Sequence, residues 1–154
     1  MNRLTAVGAS VAVLVVGYVG FQSLQTRATK EEVTVSLSAT ADGGCAPAIS
    51  DVIGGHWLKK VTWHINNTCT RAQVVTMRDF VKDDAGKKGT DKVKVFSDDP
   101  VVSGAIPAGT PDYQVKERIT KLVLLTSLYH YTICSTDQTN QITKCLDPDV
   151  EIWP

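Results

Sequence analysis

The sequence contains no G-x-S-x-G, H-E-x-x-H, S-x-x-K or C-x-x-C pattern and no phosphate-cradling glycine loop. The compact signatures of nucleophilic, zinc-dependent, nucleotide-dependent and thiol redox chemistry are therefore missing. Histidine is scarce, with three in 154 residues, which leaves few nitrogen donors for a metal. Neither charge sign dominates, and there are no internal repeats or low-complexity segments. Helical periodicity of normal length is absent after residue 30. Catalysis would have to assemble from unmarked residues, so the expectation is a protein that is not an enzyme. Paired carboxylates such as Asp83–Asp84 and Asp98–Asp99 fall in polar segments where solvated turns are the natural reading.

What is present begins with an apolar run. No charged residue lies between Arg3 and Arg27, and Leu4 to Phe21 is long enough for a helix to cross a bilayer core of about 30 Å. A cleaved secretory signal is the competing reading, although such regions usually run only about 7–15 apolar residues before an A-x-A-like site. A buried core helix is the third. The run lacks a closely following cysteine for lipid attachment and the glycine-aromatic start and early glutamate of type IV pilins. Basic residues flank it almost evenly, so orientation rests on the cysteines. Cys45, Cys69, Cys134 and Cys145 all lie beyond the run, and an even set in a small exported domain reads as a disulfide framework. The expectation is residues 1–27 as a signal anchor, 28–32 as a linker and 33–154 as one exported domain in a bacterial periplasm or outside the cell. Secretion after cleavage is the alternative.

Setting Arg3 and Arg27 aside from the 16 basic residues leaves 14 against 16 acidic ones beyond residue 27, formally −2. This balance argues against a nucleic-acid or anionic-lipid surface. Residues 82–92, "KDDAGKKGTDK", mix both signs around two glycines and read as a solvated loop or hairpin tip.

Periodicity in the exported part is two. "EVTVSLSA" sets Val33, Val35, Leu37 and Ala39 on one face, and "KKVTWHIN" sets Val61, Trp63 and Ile65 inward with Lys60, Thr62, His64 and Asn66 outward. Further strands are predicted at "AQVVTMRDFV", "KVKVF", "YQVKERIT", "KLVLLTS", "LYHYTIC" and "DVEIW", separated by segments rich in Pro, Gly and Asp. This spacing predicts an all-β, antiparallel sandwich.

The series "VTWHINNT", "VVTMRDF", "IPAG" and "YHYTIC", closed by "LDPDVEI", resembles the cupredoxins, the plastocyanin and azurin family, over roughly residues 33–152. The resemblance implies a Greek-key sandwich and directs attention to a copper site of two histidines, a cysteine thiolate and an axial methionine. Cys134 matches the ligand cysteine. Ala72 or Gln73 stands where the first histidine belongs, Asp137 about where the second does, and "CSTDQTNQITKC" has no methionine. Neither Asp nor Gln is a soft substitute, so the expectation is a cupredoxin-like domain with no copper and no other cofactor.

His64 and His130 form a weak alternative metal pair if their strands are neighbours in register, while His56 sits in the turn-like "IGGHW". Of three possible disulfide connectivities, a hairpin bringing Cys134 opposite Cys145 favours that pair with Cys45–Cys69. A redox-active pair is the sharper rival. Asn66 formally matches a glycosylation acceptor, and Asp147, Asp149 and Glu151 alternate on one face as an edge-strand or calcium-binding pattern. Trp63 reads as core. Trp57 and Tyr113, if exposed together, are the candidate partner-binding patch. The resulting expectation is a membrane-anchored binding or scaffolding module with a protein partner in the cell envelope and no nucleic-acid role. A metal-handling or redox protein using the histidines or cysteines is the alternative.

Overall fold

The computed structural model describes residues 29–84 and 87–154. The predicted anchor of residues 1–27 lies outside the described residues. Among those described there is no helix, and the chain forms β1 (Thr29–Lys30), β2 (Glu32–Ala39), β3 (Cys45–Ile49), β4 (Val52–His56), β5 (Lys60–Asn67) and β6 (Gln73–Asp84). β7 (Lys87–Lys92), β8 (Val101–Val102), β9 (Tyr113–Arg118), β10 (Ser127–Asp137), β11 (Thr143–Leu146) and β12 (Asp149–Trp153) complete it. One sheet runs β1-β4-β12-β10-β6-β7, with β11 beside β10 and β8 beside β6; the other runs β3-β2-β5-β9.

The sandwich is all-β as predicted, but it is not purely antiparallel. β2 pairs with β5, β4 with β12 and β1 with β4 in parallel. Parallel neighbours require crossover connections, and here the crossovers pass between the two sheets.

Alternation builds the core. Val33, Val35 and Leu37 on β2 and Val61, Trp63 and Ile65 on β5 point inward from one sheet, and Tyr129, Tyr131 and Ile133 on β10 from the other. Ala39, the last residue of the predicted face, is exposed and lines the opening beside Cys45, Gln73 and Asp137. Trp63 meets Phe96 edge-on at 5.2 Å, Phe96 meets Phe80 at 5.2 Å, and Phe80 stacks on Tyr131 at 5.3 Å. Each such pair contributes about 0.5–1.5 kcal/mol beyond its burial. The indole N–H of Trp63 donates to the Tyr131 hydroxyl at 3.2 Å across the sheets, so neither buried polar atom is orphaned. Burial pushes the Tyr131 phenol well above its ordinary pKa, keeping it neutral.

Three predicted elements differ. "KLVLLTS" is the β9–β10 connection rather than a strand, with Leu122, Leu124 and Leu125 exposed. "KVKVF" contributes only Lys92 to β7; its buried Val95 and Phe96 fill the core from an irregular segment. "IGGH" is strand β4, not a turn: Gly54 and Gly55 are buried, and a Cβ at Gly55 would touch Ile119, Glu31 and Val61 at 3.4–3.6 Å.

Candidate functional site

At one end of the sandwich the inward faces of β6 and β10 change from apolar to polar. On β10, Ile133 is followed inward by Ser135 and Asp137; on β6, Val75 is preceded by Gln73, and all three polar residues are buried. Gln73 and Asp137 are direct cross-strand partners. The Ser135 hydroxyl donates to Gln73 Oε1 at 2.9 Å. The Asp137 carboxylate accepts from the Thr139 and Asn140 backbone N–H groups at 2.7 and 3.3 Å and from Arg71 Nη1 at 3.2 Å. Desolvation pushes its pKa up, but the two amides and the guanidinium more than offset this and hold it below the usual carboxylate value.

Asn67, the last residue of β5, fastens the same end. Its amide nitrogen donates to the carbonyls of Arg71, Ile106 and Pro107 at 3.1, 3.1 and 2.9 Å, while its oxygen accepts from the Cys69 N–H at 3.1 Å. Beside it, Cys45 is bonded to Cys69 with Cα atoms 6.2 Å apart. One buried side chain and one disulfide thus tie the loops after β2, β5 and β8 together.

The positions that the cupredoxin resemblance singles out are only partly assembled. Gln73 and Asp137 face each other, but Cys134 is not with them. Alternation along β10 turns Cys134 outward with Thr132 and Thr136, onto the opposite face of the sheet. There it stands directly across from Cys145, Cα atoms 4.1 Å apart, and is bonded to it. The Asp137 N–H bond to the Ile142 carbonyl makes residues 137 and 142 a hydrogen-bonded pair, so 134 and 145 form the closer, non-hydrogen-bonded kind. Thr136 and Thr143, the next such pair, join through their hydroxyls at 3.0 Å. Sulfur is thus committed covalently on one face, while inward Gln73 is committed to Ser135 and inward Asp137 to Arg71 and two backbone amides. The opening beside Arg71 and Asp137 holds about 130 Å³, well below the several hundred of an ordinary ligand pocket.

The histidines are likewise separate. His64 Nδ1 lies 2.8 Å from Asp112 and its Nε2 3.6 Å from Glu32, on the outer face of the β5 sheet. His64 is also the main reason Asp112 has a lowered pKa. His130 lies on the other sheet, its Nδ1 2.6 Å from Asp149 and its Nε2 3.5 Å from Asp83. Sheets of a sandwich pack about 10 Å apart and these rings point away from one another, so the predicted pair does not form. His56 closes on the Pro154 carbonyl at 2.7 Å and meets Trp153 edge-on at 5.1 Å. Asp147 pairs with Lys88 and Asp149 with His130, which divides the acidic alternation between partners. Among the described residues no group of three or more His, Cys, Asp or Glu is arranged to hold a metal.

Trp57 and Tyr113 are not one patch. Tyr113 pairs with Ile65 near the far end of β5, is half-buried and packs against the core. Trp57 is in the turn before Lys60, at the opposite end. Asn66 is half-buried on β5. Sequence reading missed Asn67, whose signal, a second asparagine closing an inward-alternating strand, was visible but not decisive. It also missed the exposed leucines, which were assigned to a strand.

No protein-family model matches the chain, and no curated protein matches it. Among solved structures, the CsuC–CsuE chaperone–tip adhesion subunit pre-assembly complex of the archaic chaperone-usher Csu pili of Acinetobacter baumannii is similar at 13% identity and a TM-score of 0.49, over 65% of this chain and 47% of that one. The McoA multicopper oxidase of Aquifex aeolicus is similar at 12% identity and a TM-score of 0.40, over 85% of this chain and 29% of that one. The chain spans less than half the length of either, and likenesses at this level add nothing to what the strand pairing itself shows.

Proposed function

We propose that the chain is a non-enzymatic, membrane-anchored extracytoplasmic module that binds or scaffolds a protein partner in the cell envelope, on a cupredoxin-like Greek-key frame without copper. One observation carries this reading. At the polar end, the residues standing in for metal ligands are consumed internally: Gln73 by Ser135, Asp137 by Arg71 and two amides, Cys134 by Cys145. Such an end is a rigid presenting platform rather than a reacting centre. The two disulfides support an oxidising compartment, and the Leu4–Phe21 run supports an uncleaved anchor.

Cross-linking of the full chain in its native membrane, followed by identification of the captured protein, tests the reading. One partner captured in constant ratio is expected; turnover of a small substrate by the purified chain, or stoichiometric copper or zinc, contradicts it. A mature N-terminus near residue 28 would replace the anchor by a cleaved signal.

A further inference from the structure

The other end of the sandwich differs in kind. Of the seven exposed large hydrophobic residues among those described, five gather there: Trp57 (45% exposed), Leu58 (48%), Leu122 (58%), Leu124 (87%) and Leu125 (78%). Strand register brings them together. The Leu58 N–H donates to the Ile119 carbonyl at 2.8 Å, and the Ile119 N–H to the Lys59 carbonyl at 2.9 Å, so the β4–β5 turn is locked to the start of the β9–β10 connection. That connection ends at Ser127, opposite Ile152, while Trp153 pairs with His56. Isolated exposed leucines need no explanation, but a contiguous set at one tip does. Leu58 also sits at φ 63°, a left-handed conformation that glycine or asparagine adopts far more readily than leucine.

The turn and the connection at this tip carry basic side chains, with Glu31 beside Gly55 and Glu117 across from Val61 just behind them. Residues 56–60 and 118–126 carry Lys59, Lys60, Arg118 and Lys121 and no acidic side chain. Leucines at a convex loop, a tryptophan beside them and a basic rim match the layering of a lipid interface: acyl chains, headgroup boundary, anionic phosphate. Reach is sufficient. Thr29 pairs with Val52, about 16 Å along the strand from Trp57. Covalent geometry lets the seven residues between Phe21 and Thr29 span up to about 24 Å.

We infer that the tip formed by Trp57, Leu58, Leu122, Leu124 and Leu125 docks into the interface of an anionic phospholipid bilayer, its lysines on the headgroups. This deepens the proposed function and rests on its anchored reading. It fixes which end of the domain faces the membrane and leaves the disulfide-tied polar end pointing outward to a partner.

The test uses the full chain reconstituted in phosphatidylglycerol-containing vesicles and in pure phosphatidylcholine vesicles. Vesicle flotation and quenching of tryptophan fluorescence by brominated lipid and by aqueous acrylamide are read together, with Trp57→Phe isolating the Trp57 contribution. Brominated lipid is expected to quench Trp57 and acrylamide quenching to fall at least about twofold in anionic vesicles. Both effects should vanish in Leu124→Ser/Leu125→Ser and weaken in Lys59→Glu/Lys60→Glu/Lys121→Glu. Leu124, Leu125, Lys59 and Lys60 are exposed and Lys121 is half-buried, so the melting temperature should stay unchanged and exclude unfolding as the cause. A chain that floats while Trp57 stays as acrylamide-accessible as in detergent overturns the docking and spares the anchor. A chain that does not float overturns both. Trp57 protection that grows with protein density in the membrane and tracks cross-links between copies assigns the tip to a second copy and also overturns it.

Discussion

Replacing Asn67 by alanine is the most informative single perturbation of the polar end. The amide makes four hydrogen bonds, three as donor and one as acceptor. A typical buried hydrogen bond contributes about 1 kcal/mol net, and leaving a buried partner unsatisfied costs about 1–3 kcal/mol. The losses are unequal. The Ile106 carbonyl also receives the Gln73 N–H at 3.0 Å and keeps that bond. The Arg71 and Pro107 carbonyls lie in part-buried contacts that water can replace, whereas the Cys69 N–H is buried. Summing one full penalty at Cys69, smaller losses at the carbonyls and a small void gives about 3 kcal/mol, which for a domain of this size lowers the melting temperature by roughly 10 °C. Urea denaturation under non-reducing conditions measures it. Asn66→Ala, one residue earlier and facing outward, serves as control and should change stability by less than about 0.5 kcal/mol. An Asn67→Ala variant within 1 kcal/mol of the parent would refute the account of Asn67 as the fastener of this end.

Other consequences are checkable separately. Removing Cys45–Cys69, which spans 24 residues, should cost about 3.4 kcal/mol, and removing Cys134–Cys145, which spans 11, about 2.8 kcal/mol; paired serine variants in urea should preserve that order. Tyr131→Phe should destabilise by about 2 kcal/mol by orphaning the Trp63 N–H, seen in thermal melts. Because the folded pKa of Asp137 is depressed, its stabilisation is complete above the ordinary carboxylate range and is lost as pH falls through the folded value. Asp137→Asn should therefore flatten the acid limb of melting temperature against pH, and an unchanged limb would contradict the assignment. The bond from Lys144, and next that from Thr40, holds Asp42 at about 2, which carboxyl NMR titration reads directly and Lys144→Met should raise.

Legibility followed a physical rule. Strands with one buried face, such as Glu32–Ala39 and Lys60–Asn67, announce themselves by alternation. β3 does not, because "CAPAI" carries Pro47; on an edge strand the missing N–H does no harm. β4 was hidden by Gly54 and Gly55, which read as a turn but lie buried within a strand. "KLVLLTS" misled in the other direction: of its apolar run only Val123 reaches the core, and the three leucines stay in solvent because the segment pairs with no strand that would give it a buried face. Alternation along β10 sets Cys134 on the outward face with His130 and Thr132, although the resemblance matches it to the ligand cysteine. Parity along the strand outweighs distance along the sequence. Which strands are neighbours across the sandwich is a non-local property, so the separation of His64 from His130 and of Trp57 from Tyr113 was open until the sheets were in view.

The central claim, a copper-free module whose cysteines are structural, is tested most directly by elemental analysis and thiol counting on full-length protein isolated from its native compartment. The account predicts no stoichiometric copper or zinc, no free thiol before reduction and four after it. One equivalent of metal, or a reactive thiol in the unreduced protein, would contradict it.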